Sequence, residues 1–175
     1  SELEKVVDDV RRRLDRLLET SEKLLEDATK RLKDSERKSD EIVKTNEELL
    51  ERLKTVLERR ETDKRELLKE NKEILERTRE LSERNLKEVE DILREVEEEV
   101  RKNLRRIEKV LEEVRRKLRS ELLKRVEERI KRVLDESKKI LKEIADEVRR
   151  VLERDKELLK RLEDKNREVS ERIRK

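Results

Sequence analysis

The sequence lacks nine of the twenty residue types. Its 175 residues include no Gly, Pro, Cys, His, Met, Phe, Trp or Tyr, and Gln is missing as well. Natural domains of this size use several per cent each of Gly and Pro, so the absences indicate a short alphabet of strong helix formers. Without Cys, the fold is indifferent to the redox compartment. Without His, a Ser nucleophile has no activating base, and we therefore expect no enzyme activity.

Long apolar runs and one-signed charge patches are also missing. No more than two apolar residues are adjacent, whereas a membrane span needs about 20, so we expect no membrane association. The 53 basic and 50 acidic residues are interleaved and leave a net charge of only +3, which argues against nucleic-acid binding. No Gly-rich phosphate loop is present, and no cofactor is expected. The sequence gives no localisation, and soluble cytoplasmic expression is the default expectation.

The apolar residues that remain are strongly periodic. The chain is 59% charged and 30% hydrophobic, a balance that disordered chains share, but disordered chains lack a repeating apolar pattern. Here apolar residues recur every three or four positions from Leu3 to Ile173. The mean step is about 3.6 residues, the period of an undistorted helix, whereas a strict heptad would impose a supercoil. The spacing therefore predicts an all-α fold of long, nearly straight helices.

Helix boundaries must be found without Gly or Pro. Asp63, three residues before Glu66, resembles a capping box, and the chain start at Ser1 fits the same pattern. The first turn is therefore predicted near Arg60 to Asp63. Ser120 has the chemistry of an N-cap and divides the remaining chain evenly, so the second turn is predicted there.

These turns predict an up-down-up bundle of three antiparallel helices in a single domain over residues 1–175. The predicted helices span about 2–59, 63–118 and 121–175. A division into four helices, with breaks near Ser39, Ser82 and Ser120, leaves a final helix far longer than the others. Three helices fit the sequence better.

Twelve polar residues that interrupt the apolar pattern fall at three levels when the predicted helices are aligned. The lower layer contains Ser21, Asn103 and Ser137. The middle layer contains Ser35, Ser39, Ser82, Asn85 and Asp155. The upper layer contains Asn46, Thr78, Asn71 and Asn166. Core amides and hydroxyls destabilise a fold unless they are hydrogen-bonded, so we predict that they fix register and partner choice rather than bind a ligand.

Asp155 is the only acid in the apolar pattern. A di-metal bundle needs several core carboxylates and Glu-x-x-His pairs, so no metal site is predicted. A buried carboxylate persists only when it is paired. We therefore expect Asp155 to accept hydrogen bonds from one of four neighbours: Ser35, Ser39, Ser82 or Asn85.

The Leu/Ile/Val core pattern, the Glu/Lys/Arg faces and the Asn/Ser/Thr layers extend over the whole chain. In these features the chain resembles the parametrically designed helical bundles that carry buried hydrogen-bond networks. The Gly-free and Pro-free turns depart from common design practice. The resemblance implies a hyperstable structural scaffold, related in packing to coiled coils, which has no natural activity and needs no partner.

An alternative function is an interaction module that assembles with other copies or with a designed helical partner. Doubled apolar positions widen the apolar stripe beyond a two-stranded seam, as a core of three or four helices requires. These positions are Leu17–Leu18, Leu49–Leu50, Ile74–Leu75 and Leu158–Leu159. They favour a self-contained fold only mildly, and the sequence leaves both functions open.

Overall fold

The computed structural model describes residues 2–59, 63–118 and 121–175, and these residues form three long helices. The helices are α1 (Glu2–Glu58), α2 (Lys64–Lys117) and α3 (Glu121–Arg174). Leu, Glu, Lys and Arg dominate all three segments and have high helix propensities. No strand occurs in the described ranges, and the predicted all-α class is confirmed.

Asp63 caps the start of α2. Its Oδ1 accepts a hydrogen bond from the backbone N–H of Arg65 at 3.0 Å, and its carbonyl oxygen accepts from the N–H groups of Glu66 and Leu67. An Asp in this position satisfies donors that the first helical turn leaves free. The other predicted turn and cap positions lie outside the described residues: Ser1, Arg60 and Ser120.

The chain forms two compact units, of which unit 1 comprises Ser1–Arg31 and Ile92–Glu147. Arg13 pairs with Glu113, whereas Arg31, further along α1, pairs with Glu95, nearer the start of α2. The two helices are therefore antiparallel. One core cluster of this unit consists of nine buried aliphatic side chains from all three helices: Val10, Leu14, Ile107, Val110, Val114, Leu118, Val126, Ile130 and Val133.

Unit 2 comprises Leu32–Asp91 and Val148–Lys175. Ser39 contacts Asp155, and Glu47, further along α1, contacts Lys165, further along α3. α1 and α3 are therefore parallel, which gives the predicted up-down-up order. One aliphatic cluster of this unit contains Leu50, Leu53, Leu67, Val169 and Ile173. The assignment of residues 1–175 to a single domain stays a prediction.

Candidate functional site

The helices bury almost all of the polar residues that interrupt the apolar pattern. Eleven of the twelve are buried: Ser21, Ser35, Ser39, Asn46, Asn71, Thr78, Asn85, Asn103, Ser137, Asp155 and Asn166. The twelfth, Ser82, is half buried. The lower layer lies within unit 1, and the middle and upper layers lie within unit 2.

In the lower layer, Asn103 of α2 bonds mainly to α1. Its side-chain nitrogen donates to the Oγ of Ser21 at 2.6 Å and to the carbonyl oxygen of Leu17 at 2.7 Å. The Ser21 hydroxyl lies 3.4 Å from the hydroxyl of Ser137 on α3. Ser21 therefore connects the other two members, and the link from Asn103 to Ser137 passes through it.

The middle layer is a chain of hydrogen bonds that begins at Ser35 on α1. The Ser35 hydroxyl donates to Oδ1 of Asn85 at 2.9 Å, and Nδ2 of Asn85 donates to the Ser35 carbonyl at 3.0 Å and to the Ser39 hydroxyl at 2.7 Å. The Ser39 hydroxyl in turn donates to Oδ1 of Asp155 at 2.8 Å. Ser82 lies outside these hydrogen bonds, and Asn85 is the residue through which α2 joins the layer.

Asp155 has the only buried carboxylate among the described residues. Burial raises its pKa above the ordinary value, because the charged form loses its hydration. The hydrogen bond from Ser39 and the charge of Arg154 act in the opposite direction, whereas Glu36 and Asp40 add to the rise. One carboxylate oxygen, Oδ1, accepts the bond from Ser39 and the other has no partner.

The upper layer has two parts that share Asn166 of α3. Asn46 donates to the Thr78 hydroxyl at 2.8 Å and its Oδ1 lies 3.4 Å from Nδ2 of Asn166, which is near the limit of a useful hydrogen bond. Asn71 donates to the backbone carbonyl of Asn166 at 2.7 Å and to the Ser170 hydroxyl at 2.6 Å. The layer therefore joins all three helices, partly through backbone atoms.

Ser170 belongs to the upper layer although the apolar pattern did not single it out. It is half buried and lies four residues after Asn166, which places the two side chains on one helix face. That spacing was the available sequence signal. The backbone acceptors of the layers, such as Leu17, had no such signal because every residue carries a carbonyl group.

Four buried side-chain oxygens have no hydrogen-bond partner within the described part of the protein. They are Oδ1 of Asn71, Asn103 and Asn166, and Oδ2 of Asp155. A buried acceptor without a donor costs about 1–3 kcal/mol. The layers therefore stabilise the fold less than their hydrogen-bond number suggests, which is typical of polar groups that are retained for specificity.

Charged pairs surround the core at the surface. In unit 1, a 2.7 Å hydrogen bond from Arg13 lowers the pKa of Glu113 from its ordinary value and raises that of Arg13. In the described ranges no group of three or more potential ligands is placed to hold a metal ion. No helix of these ranges is long and apolar enough to cross a membrane.

Comparison with known proteins finds a solved structure that is similar to this chain. No family model and no curated protein sequence matches the chain. A solved structure described as "Computationally designed three helix bundle" is similar to it, with a TM-score of 0.60, 22% sequence identity, and coverage of 98% of this chain and 88% of that chain. This chain therefore shares the three-helix-bundle fold with a computationally designed protein.

Proposed function

We propose that the protein is a designed structural scaffold, a stable three-helix bundle with no catalytic role. The similar solved structure is described as designed, and the restricted residue alphabet supports the same origin. The sequence contains neither His nor Cys, so the side chains that most often serve as catalytic bases or covalent nucleophiles are missing.

The observation that carries this proposal is the burial of polar groups at chosen levels of an otherwise aliphatic core. In each layer, residues from different helices form hydrogen bonds that a slipped register would break. A slip would set amides against Leu or Val, which penalises the wrong alignment. The layers thus support a role in specifying one alignment of the helices, as expected of a scaffold.

The scaffold proposal predicts high thermal stability. It also predicts that the layers specify one alignment of the helices rather than stabilise the fold. We expect circular dichroism to show no complete unfolding below about 90 °C, as for idealised bundles. Replacing the whole lower layer, by Ser21→Ala, Asn103→Leu and Ser137→Ala, should raise the midpoint of chemical denaturation while amide NMR spectra lose their single set of peaks. Thr20→Ala, an exposed neighbour, is the control and should change stability by less than about 0.5 kcal/mol.

Two results would contradict the proposal. A cooperative thermal transition near 50 °C, about where ordinary domains unfold, would contradict the proposal that the protein is an idealised scaffold of high thermal stability. A triple variant that is less stable than the parent and keeps one set of amide peaks would show that the layer stabilises the fold without specifying it.

A further inference from the structure

An open apolar groove runs between α1 and α2 in unit 2. One cavity of about 630 Å³ is lined by Ile42, Leu49, Ile74 and Leu81, among others. A second, of about 400 Å³, continues it and shares Leu49, Ile74 and Arg77 with the first. Leu81 is 39% exposed, so a large apolar side chain on the groove wall faces solvent.

The doubled apolar positions explain how one chain supplies both a core and a groove. Leu50 is buried in the cluster with Val169 and Ile173 of α3. Leu49, its neighbour in sequence, is only partly buried and lines the groove. One member of the doubled position therefore faces the third helix, and the other remains available for a further packing surface.

The charges on the groove rim change sign along each helix, and they are complementary between the two helices along the second cavity. Along the first cavity, α1 contributes Glu41 and α2 contributes Arg77. Along the second cavity, α1 contributes Arg52 and α2 contributes Glu70 and Glu73. Within the described residues, none of these five side chains has an ion-pair partner.

The remaining rim charges already have partners in the chain. Lys38 and Glu88 pair across the groove at 3.0 Å, and Arg84 pairs with Glu80 at 2.7 Å. Of the uncompensated rim charges, Arg52 on α1 therefore lies at the level of two acids on α2, Glu70 and Glu73. A second helical pair with the same pattern can neutralise these three charges if its α2 lies over this α1.

We propose that the α1/α2 groove of unit 2 binds the same groove of a second copy of this chain. A two-fold axis parallel to the helices sets α1 of each copy against α2 of the other, antiparallel and at the same level. Asn46 bonds to Thr78 across the chain, so Thr78 of one copy comes level with Asn46 of the other. By the same register, Arg52 comes level with Glu70 and Glu73.

The resulting interface is a four-helix arrangement with antiparallel neighbours, a standard solution for amphipathic helices. Its core contains Ile42, Leu49, Ile74 and Leu81 from both copies. The two cavities extend over about 18 residues of each helix, or about 27 Å. Two helices are about 20 Å wide, so the contact buries on the order of 1,000 Å² in total, near the lower limit for a specific interface. Interfaces of this size are mostly weak and transient, so we expect a dissociation constant in the micromolar range.

Sedimentation equilibrium tests this proposal, with interference optics because the chain has no aromatic residue. We expect the parent protein to pass from monomer to dimer between about 1 and 500 µM. Leu81→Lys should abolish the dimer. Leu122→Lys is the matched control, because Leu122 lies in unit 1 and has a similar exposure of 37%, and it should leave association unchanged.

Charge reversal tests the two-fold arrangement itself. Arg52→Glu and Glu73→Arg each set like charges against each other twice in the homodimer, and each should weaken association about tenfold or more. An equimolar mixture of the two variants restores both opposite-charge contacts and should dimerise as the parent does. A folding defect could not produce this recovery, because each variant is defective alone.

Three results would overturn the proposal: a parent protein that stays monomeric throughout, equal effects of Leu81→Lys and Leu122→Lys, or a variant mixture that fails to associate. None of these results bears on the scaffold function, which is tested by helicity and thermal stability. Low thermal stability of the parent protein would contradict the scaffold function alone.

Discussion

Unit 1 and unit 2 use the same three helices but differ in what their cores contain. Unit 1 buries one polar layer of three residues beside nine clustered aliphatic side chains. Unit 2 buries two polar layers, including a carboxylate, and three of the four buried oxygens that lack a partner. We therefore predict that the added polar residues make unit 2 more specific in helix register but locally less stable than unit 1.

The largest expected effect contrasts the central asparagines of two layers. Asn85 makes three hydrogen bonds in unit 2, whereas Asn103 makes two in unit 1 and its Oδ1 is already without a partner. We expect Asn85→Ala to lower the free energy of unfolding by about 3 kcal/mol and Asn103→Ala by about 1.5 kcal/mol. Denaturant titration measures both. Equal losses would remove the distinction between the layers.

A smaller effect of opposite sign is expected at Asp155. Asp155→Asn keeps an oxygen that accepts from Ser39 but removes the buried charge, so it should raise the free energy of unfolding by about 1–2 kcal/mol at pH 7. Titration by denaturant at several pH values measures the difference between parent and variant.

The pH dependence follows from the raised pKa of Asp155. The folded protein binds this proton more readily than the unfolded chain, so the penalty is full above the folded pKa. The penalty declines as the pH falls through that value and vanishes below the unfolded pKa of about 3.9. The advantage of Asp155→Asn should therefore shrink on acidification. A constant advantage from pH 8 to pH 4 would show that charge burial is not its cause.

The smallest expected effect concerns which residue links Asn103 to Ser137 in the lower layer. Asn103 contacts Ser21 directly, and Ser137 only through Ser21. A double-mutant cycle with alanine substitutions should give a coupling energy of about 1 kcal/mol for Asn103 with Ser21 and less for Asn103 with Ser137. The reverse order would mean that Ser21 is not the connecting residue.

The fold could be predicted because apolar periodicity reports directly on helices. The steps of about 3.6 residues predict helices, the predicted turns divide the chain into three of them, and Asp63 marks the start of α2 as N-cap chemistry requires. The levels of the polar residues could also be derived, since level depends only on residue number and turn position. Ser21, Asn103 and Ser137 do lie together in unit 1.

The bonding pattern within each layer could not be predicted, because level does not determine side-chain direction or rotamer. Asn71 bonds to a backbone carbonyl and to Ser170, neither of which the apolar pattern marks. Ser82 shares the predicted level of the middle layer but is only half buried. The groove in unit 2 was also not predicted, since the side on which Leu49 and Ile74 face depends on the rotation of α1 and α2.

The exposed position of Leu81 on the groove wall also makes the protein convenient for spectroscopy. A chain without Trp, Tyr or Phe has no intrinsic aromatic fluorescence, so a single indole introduced by Leu81→Trp would emit against no background. Its emission maximum would report how much water reaches this one wall. The lack of aromatic residues prevents ordinary concentration measurement at 280 nm. It also means that the fluorescence of this one indole reports on the groove alone, in a mixture of variants or at high dilution.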